Sequence, residues 1–167
     1  MAFGLNEKKG YEELLFELIK GSARSDRELS RVLKTSQPTV SRKRKILERE
    51  GYISEYTVIP NLQKLGYKIL AFTFMVFAED RPELLEKARQ WISNQHAVVV
   101  SVNGEGMGMN STMVSLHKDY ADYTELVARL KRDWQPNLKN TQSFIVSLER
   151  TDLVIKPFSF RYLTANK

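Results

Sequence analysis

The sequence predicts an α+β protein in two parts, a helical N-terminal unit followed by a unit in which strands and helices alternate. Three observations carry this. Up to Gly51 the apolar residues recur at helical spacing. From Tyr67 onward, continuous and alternating apolar runs of strand length take turns with helical ones. The charge excess is confined to the first part: the chain carries +6, and residues 24–49 hold nine basic and three acidic side chains, so the remainder sums to zero.

The first helix is expected from about Lys8 to Lys20, with Tyr11, Leu14, Leu15, Leu18 and Ile19 on one stripe and Gly21 ending it. The second opens at Ser25-Asp26-Arg27-Glu28, where Ser25 and Glu28 can satisfy each other's exposed amides. After a turn of about four residues, Lys34 to Gln37, the third starts with Ser36 or Gln37 as cap and Pro38 in its first turn, runs to Glu50 and stops at Gly51. Tyr52 to Ile59 is rich in aromatic and β-branched residues and reads as the strand of a wing hairpin.

Two helices joined by a short turn, the second strongly basic, form a helix-turn-helix. On a wheel of 100° per residue Val40 and Leu47 face inward, while Arg42, Lys45 and Arg49 lie opposite with Ser41 at the edge. Gln37, Thr39, Ser41 and Arg42 are then placed for base edges, since Gln matches adenine and Arg matches guanine through paired hydrogen bonds. Lys43, Lys45 and Arg49 are placed for phosphates. A concentrated positive charge suits double-stranded DNA, because each neutralised phosphate releases counterions. A basic run alone more often marks a solvated helix face; the helix-turn-helix pattern favours DNA.

The second unit reads as a strand over residues 68–78, a helix from Pro82 to about Asn94, strands over 97–102 and 112–117, a helix capped by Asp119 and reaching Trp134, and a strand over 143–148. The order βαββαβ is that of a ferredoxin-like unit. The loop expected over 103–111 holds Gly104, Gly106 and Gly108, which permit close backbone approach to a ligand. A plain connection between antiparallel strands explains the glycines as well. A dinucleotide fingerprint is disfavoured, because Met109 stands where a third glycine belongs and the loop joins two strands.

The segments Ser36-Gln37-Pro38-Thr39-Val40-Ser41-Arg42 and Leu47-Glu48-Arg49-Glu50-Gly51-Tyr52-Ile53 resemble the recognition helix and wing of winged helix regulators. The continuation Ile59-Pro60-Asn61-Leu62-Gln63-Lys64-Leu65-Gly66-Tyr67 resembles the linker of the leucine-responsive/asparagine regulator family, Lrp/AsnC. The resemblance implies a winged helix-turn-helix over residues 1–59, a linker over 60–67 and a ferredoxin-like sensor and dimerisation domain over 68–167. It also implies a sequence-specific DNA-binding transcription regulator, a homodimer or octamer built by pairing sheets, and a small-molecule effector near the loop, placing Gly104, Gly106, Met107, Gly108 and Asn110 at that site. Two departures stand out: Arg44 occupies a normally apolar inner position, and the family's G-x-Y-D pattern is missing after Gly104.

No enzyme activity, cofactor or metal is expected. The chain has no cysteine, and its two histidines, His96 and His117, are far apart and read as surface residues. A siroheme decarboxylase-like enzyme shares the two-domain resemblance but leaves the basic helix without a purpose; a DNA-packaging protein of low sequence preference shares the charge pattern. No apolar run reaches the roughly 18 residues that span a bilayer, and residues 1–6 lack the features of a signal peptide. No membrane partner and a cytoplasmic location are therefore expected. Tyr67, Phe72, Phe74 and Phe77 read as core and sheet-pairing surface. Residues 152–163 are too apolar for a free tail and are expected on the sensor domain or a neighbouring chain.

Overall fold

A computed structural model describes residues 5–78 and 81–164. Two compact units result, one of the described residues up to 59 together with 157–164, the other of those from 60 to 156.

The first unit contains α1 (Leu5–Lys20), α2 (Asp26–Val32) and α3 (Gln37–Arg49). Leu14, Leu18, Leu29, Val40 and Leu47 form its buried core, with Tyr11, Leu15, Leu33 and Ile53 packed around them. The anticipated capping box is present: Glu28 N donates to Ser25 Oγ at 3.3 Å and Ser25 N to Glu28 Oε2 at 2.7 Å. Ser25 Oγ also donates to Glu28 Oε2 at 2.7 Å, and this bond together with the one from Ser25 N holds the Glu28 carboxyl below the usual carboxylate range.

Two expectations are corrected here. Residues 52–59 form no strand, so the wing hairpin is replaced by an extended segment. A lone strand has no ladder partner, and the first amides are used elsewhere: Tyr52 N and Ile53 N both donate to Leu47 O, closing the end of α3 after Gly51 at φ 74°. The apolar tail also divides otherwise than expected: residues 152–156 belong to the second unit, whereas a 3-10 segment, Phe160–Thr164, packs on α1 within the first.

The second unit contains β1 (Ile69–Phe77), α4 (Pro82–Ser93), β2 (Val98–Gly106), β3 (Met109–His117), α5 (Tyr120–Trp134) and β4 (Leu138–Ser147). Its antiparallel sheet has the order β2-β3-β1-β4, the ferredoxin-like arrangement. Alternation along β1 and β3 separates two faces. Met75 and Met113 join Leu126, Leu130 and Trp134 in the core beneath α4 and α5. On the other face Phe72 pairs across the strands with Val114 and Phe144, and Phe144, Val100 and Val102 are exposed. Residues 61–66 are strapped to this unit: Gln63 Nε2 donates to Leu148 O, and Lys118 Nζ donates to Leu65 O while sitting 4.1 Å above the Tyr67 ring.

His117, expected at the surface, is fully buried. It ends β3 on the face that Ser111, Met113 and Ser115 occupy, and that alternation carries it inward. Its Nε2 shares a 2.8 Å hydrogen bond with Ser115 Oγ, and its Nδ1 lies 3.4 Å from Asp122 Oδ2. Burial pushes the imidazole below its ordinary value, against the opposing pull of Asp122 and Asp119. The folded state therefore binds fewer protons than the unfolded chain just below the unfolded histidine value of about 6.5. The contribution is complete above that value and lost as pH falls toward the depressed folded value. Both tryptophans, Trp91 and Trp134, lie in the second unit, so urea unfolding followed by their fluorescence should show stability falling from about pH 7 to about pH 5.5. His117→Gln should flatten that dependence; an unchanged slope in the variant assigns it to other groups.

Candidate nucleic-acid interface

α3 is held at both ends. Ser36 caps it by accepting from Thr39 N at 3.3 Å, and Pro38 occupies the first turn, where its missing donor is harmless. At the far end Glu50 N returns to Ile46 O. Val40 and Leu47 are buried, and this fixes the rotation of the helix about its axis.

With that rotation set, Gln37, Arg42, Lys45 and Arg49 are exposed, and the last three share the side opposite Val40 and Leu47. Arg49 bridges the neighbouring Glu50 at 2.8 Å; with its guanidinium mostly in solvent, that pair is weak enough to yield to a phosphate. Ser41 is half-buried at the edge. Thr39 is partly committed to the cap, its hydroxyl 2.8 Å from Ser36 Oγ.

Lys43 is not brought together with this group. It lies toward α1, with Nζ 5.5 Å from the centre of the Tyr11 ring, an attraction between a cation and a π face. The wheel places it at about 100° from Arg42, a separation already present in the sequence.

Arg44, the departure from the family pattern, has a structural task. It is half-buried and makes contacts of 2.7–2.8 Å to Asp26 Oδ1, with further hydrogen bonds of 3.4 Å to Tyr56 Oη and Arg24 O. Tyr56 Oη donates to Glu48 Oε1 at 2.8 Å, and its ring lies 5.8 Å from the guanidinium. Burial and the Glu48 hydrogen bond raise the Tyr56 pKa, so the phenol stays a donor. An ion pair thus joins α3 to the start of α2, where the family pattern has an apolar residue. Arg24, another of the basic residues, pairs with Glu17 at 2.8 Å. The remaining strongly exposed cations include Arg27, Arg31 and Lys34.

The second set of expected site residues is rearranged. β2 continues to Gly106 and β3 begins at Met109, so the expected loop over 103–111 is a hairpin with a two-residue turn. Met107 at φ 52° and Gly108 at φ 70° have the two left-handed conformations that such a turn demands. Gly104 and Gly106 are strand residues with open space where a Cβ would stand. Asn110 clamps the end of β1, its Oδ1 accepting from Phe77 N at 2.9 Å and its Nδ2 donating to Phe77 O at 2.7 Å.

Comparison with known proteins agrees with this architecture. No family model matches the chain. A curated relative from Pyrococcus horikoshii, described as the uncharacterized HTH-type transcriptional regulator PH0061, is 25% identical over 135 residues, covering 81% of this chain and 88% of the relative. The crystal structure of PH0061 superposes with a TM-score of 0.74 at 22% identity over 96% of this chain and 99% of that one. An AsnC family transcriptional regulator from Agrobacterium tumefaciens gives 0.76 at 16% identity, over 90% and 93%. A transcriptional regulator from Neisseria meningitidis, solved as a complex with L-methionine, gives 0.74 at 17% identity, over 83% and 88%. The fold, a helix-turn-helix unit and a ferredoxin-like unit, is shared with these solved transcriptional regulators. In particular, it is the fold of the AsnC/Lrp regulators.

Because Arg44 is an internal strut, Arg44→Ala should destabilise the first unit by about 1–3 kcal/mol, leaving Asp26 half-buried without its partner. Thermal unfolding followed by helical circular dichroism checks this. Unchanged stability combined with weakened DNA binding would instead make Arg44 a DNA contact.

Proposed function

We propose that the chain is a sequence-specific DNA-binding transcription regulator that acts as a dimer or larger assembly and reads DNA through α3. The observation carrying this is the rotation of α3: burial of Val40 and Leu47 leaves Arg42, Lys45 and Arg49 on one exposed side of a capped helix. Gln37, Ser41 and Arg42 are assigned to base edges, with Thr39 limited by its bond to the cap. Lys45 and Arg49 are assigned to phosphates. The described relatives are named as transcriptional regulators, which supports the same reading over catalysis. Among the described residues no helix is long and apolar enough to cross a membrane, which is compatible with the cytoplasmic setting this role requires.

A two-fold assembly is supported by the uncovered sheet face, where Phe144, Val100 and Val102 are exposed beside Phe72. Such a face is the kind of surface that a second copy covers. Response to a small effector is supported by the L-methionine complex of the Neisseria meningitidis protein. In this chain the turn Met107-Gly108 and the adjacent strand ends are the candidate region for such an effector.

Fluorescence anisotropy and binding-site selection test the reading together. With roughly 6–10 phosphate contacts per dimer, affinity for duplex DNA should fall by about 10³–10⁵-fold between about 50 and 200 mM salt. Arg42→Ala should cost about 1–3 kcal/mol at the selected site and relax one base position symmetrically in both half-sites. Arg49→Ala should weaken specific and bulk binding alike and flatten the salt dependence. Salt-insensitive binding contradicts the DNA reading. Equal affinity for selected and bulk DNA makes the protein a packaging factor. If Arg42→Ala binds more weakly with an unchanged motif, Arg42 is a phosphate contact.

A further inference from the structure

The second unit contains a cavity of about 100 Å³ between the inner face of the sheet and the helices α4 and α5. Met75, Leu84, Ala88, Trp91, Met113 and Trp134 line it, and Ser101, Asn103 and Ser111 add neutral polar groups from β2 and β3. Trp91 is already satisfied, its indole donating to Asp133 Oδ2 at 2.9 Å. Trp134 is different. It is 4% exposed, its ring stands edge-on to Phe77 at 5.3 Å and to Trp91 at 6.5 Å, and its Nε1 is buried with no hydrogen-bond partner. Buried donors are normally paired, and an orphan in a cavity wall is a place for an acceptor from outside the chain. The two serine hydroxyls make only long bonds of 3.4 Å to main-chain carbonyls, Ser101 to Thr112 O and Ser111 to Val102 O, so they too can strengthen a better contact.

We infer that this cavity is a binding site for a neutral, largely apolar small molecule carrying one hydrogen-bond acceptor for the Trp134 indole N–H. The size fits a compound of roughly four to five heavy atoms, given that an apolar cavity of about 150 Å³ accepts the six of benzene. The uncharged wall sets the class, because moving a charged group from water into such surroundings is strongly unfavourable without a partner charge. A short ketone or small branched alcohol has the required chemistry; a zwitterionic amino acid does not. The site shares Asn110 with the strand end beside the hairpin but includes neither Met107 nor Gly108, and it does not depend on the DNA-binding reading.

The test uses the full chain labelled with ¹⁵N and titrated with 2-butanone, read at the two indole N–H signals of Trp91 and Trp134. The Trp134 signal, assigned with Trp134→Phe, should move saturably in the direction of hydrogen-bond formation. Ala88→Leu, which fills the cavity, should weaken this response by about tenfold or more while the fold is retained by circular dichroism. L-methionine should leave the Trp134 signal in place even where it shifts other resonances. The absence of a saturable Trp134 shift in the wild type up to the solubility limit overturns the proposal, as does an equal shift produced by L-methionine. The wild-type titration decides the matter even if Ala88→Leu fails to fold.

Discussion

The burial of Val40 and Leu47 among Leu14, Leu18 and Leu29 is the constraint on which the account of the first unit rests. A helix of thirteen residues with five cations and a strongly polar surface has little reason to hold one rotation in isolation. Two apolar residues seven apart give it one, because they lie on the same stripe and are removed from water together. The ends then fix where the helix starts and stops, through Ser36 at one side and the return of the chain to Leu47 O at the other. The basic face is a consequence of that packing rather than an independent feature.

Charge in this region divides into cations that hold the fold and cations that face solvent. Arg44 and Arg24 are tied to carboxylates, Lys43 rests over Tyr11, and Arg42, Lys45 and Arg49 remain outward. The second unit makes an analogous division between the two faces of its sheet. One carries the methionines, the buried hydroxyls and His117 beneath the helices, and the other carries an aromatic and aliphatic surface with exposed Phe144. The helices α4 and α5 cover the first of these faces and leave the apolar side chains of the second exposed.

Much of this was legible in the sequence where a local rule decides the outcome. The capping box at Ser25, the Ser36-Gln37-Pro38 start of α3, the Gly51 stop and the βαββαβ order all follow from neighbouring residues or from periodicity. Where a non-local partner decides, the reading went astray. Tyr52 to Ile59 has strand-forming residues, yet composition does not supply the second strand of a hairpin. The glycines between β2 and β3 suggested a long loop, whereas the ladder with β3 carries β2 through Gly104 to Gly106 and leaves Met107 and Gly108 as the turn. His117 was the last residue of an alternating strand; extending the alternation of Met113 and Ser115 by one step would have placed it inside. Asp26, eighteen positions from Arg44, gave no sequence signal as its partner.

The central claim is that α3 lies with its first turn in the major groove of DNA. The chain has no cysteine, so Gln37→Cys supplies a single attachment point for an iron-EDTA cleavage reagent at the start of the helix. On a selected site the account predicts cleavage confined to two positions about one helical turn apart, or a multiple of it, with the strand stagger of a major-groove source. Diffuse cleavage along the duplex, or cleavage staggered as from the minor groove, would contradict it.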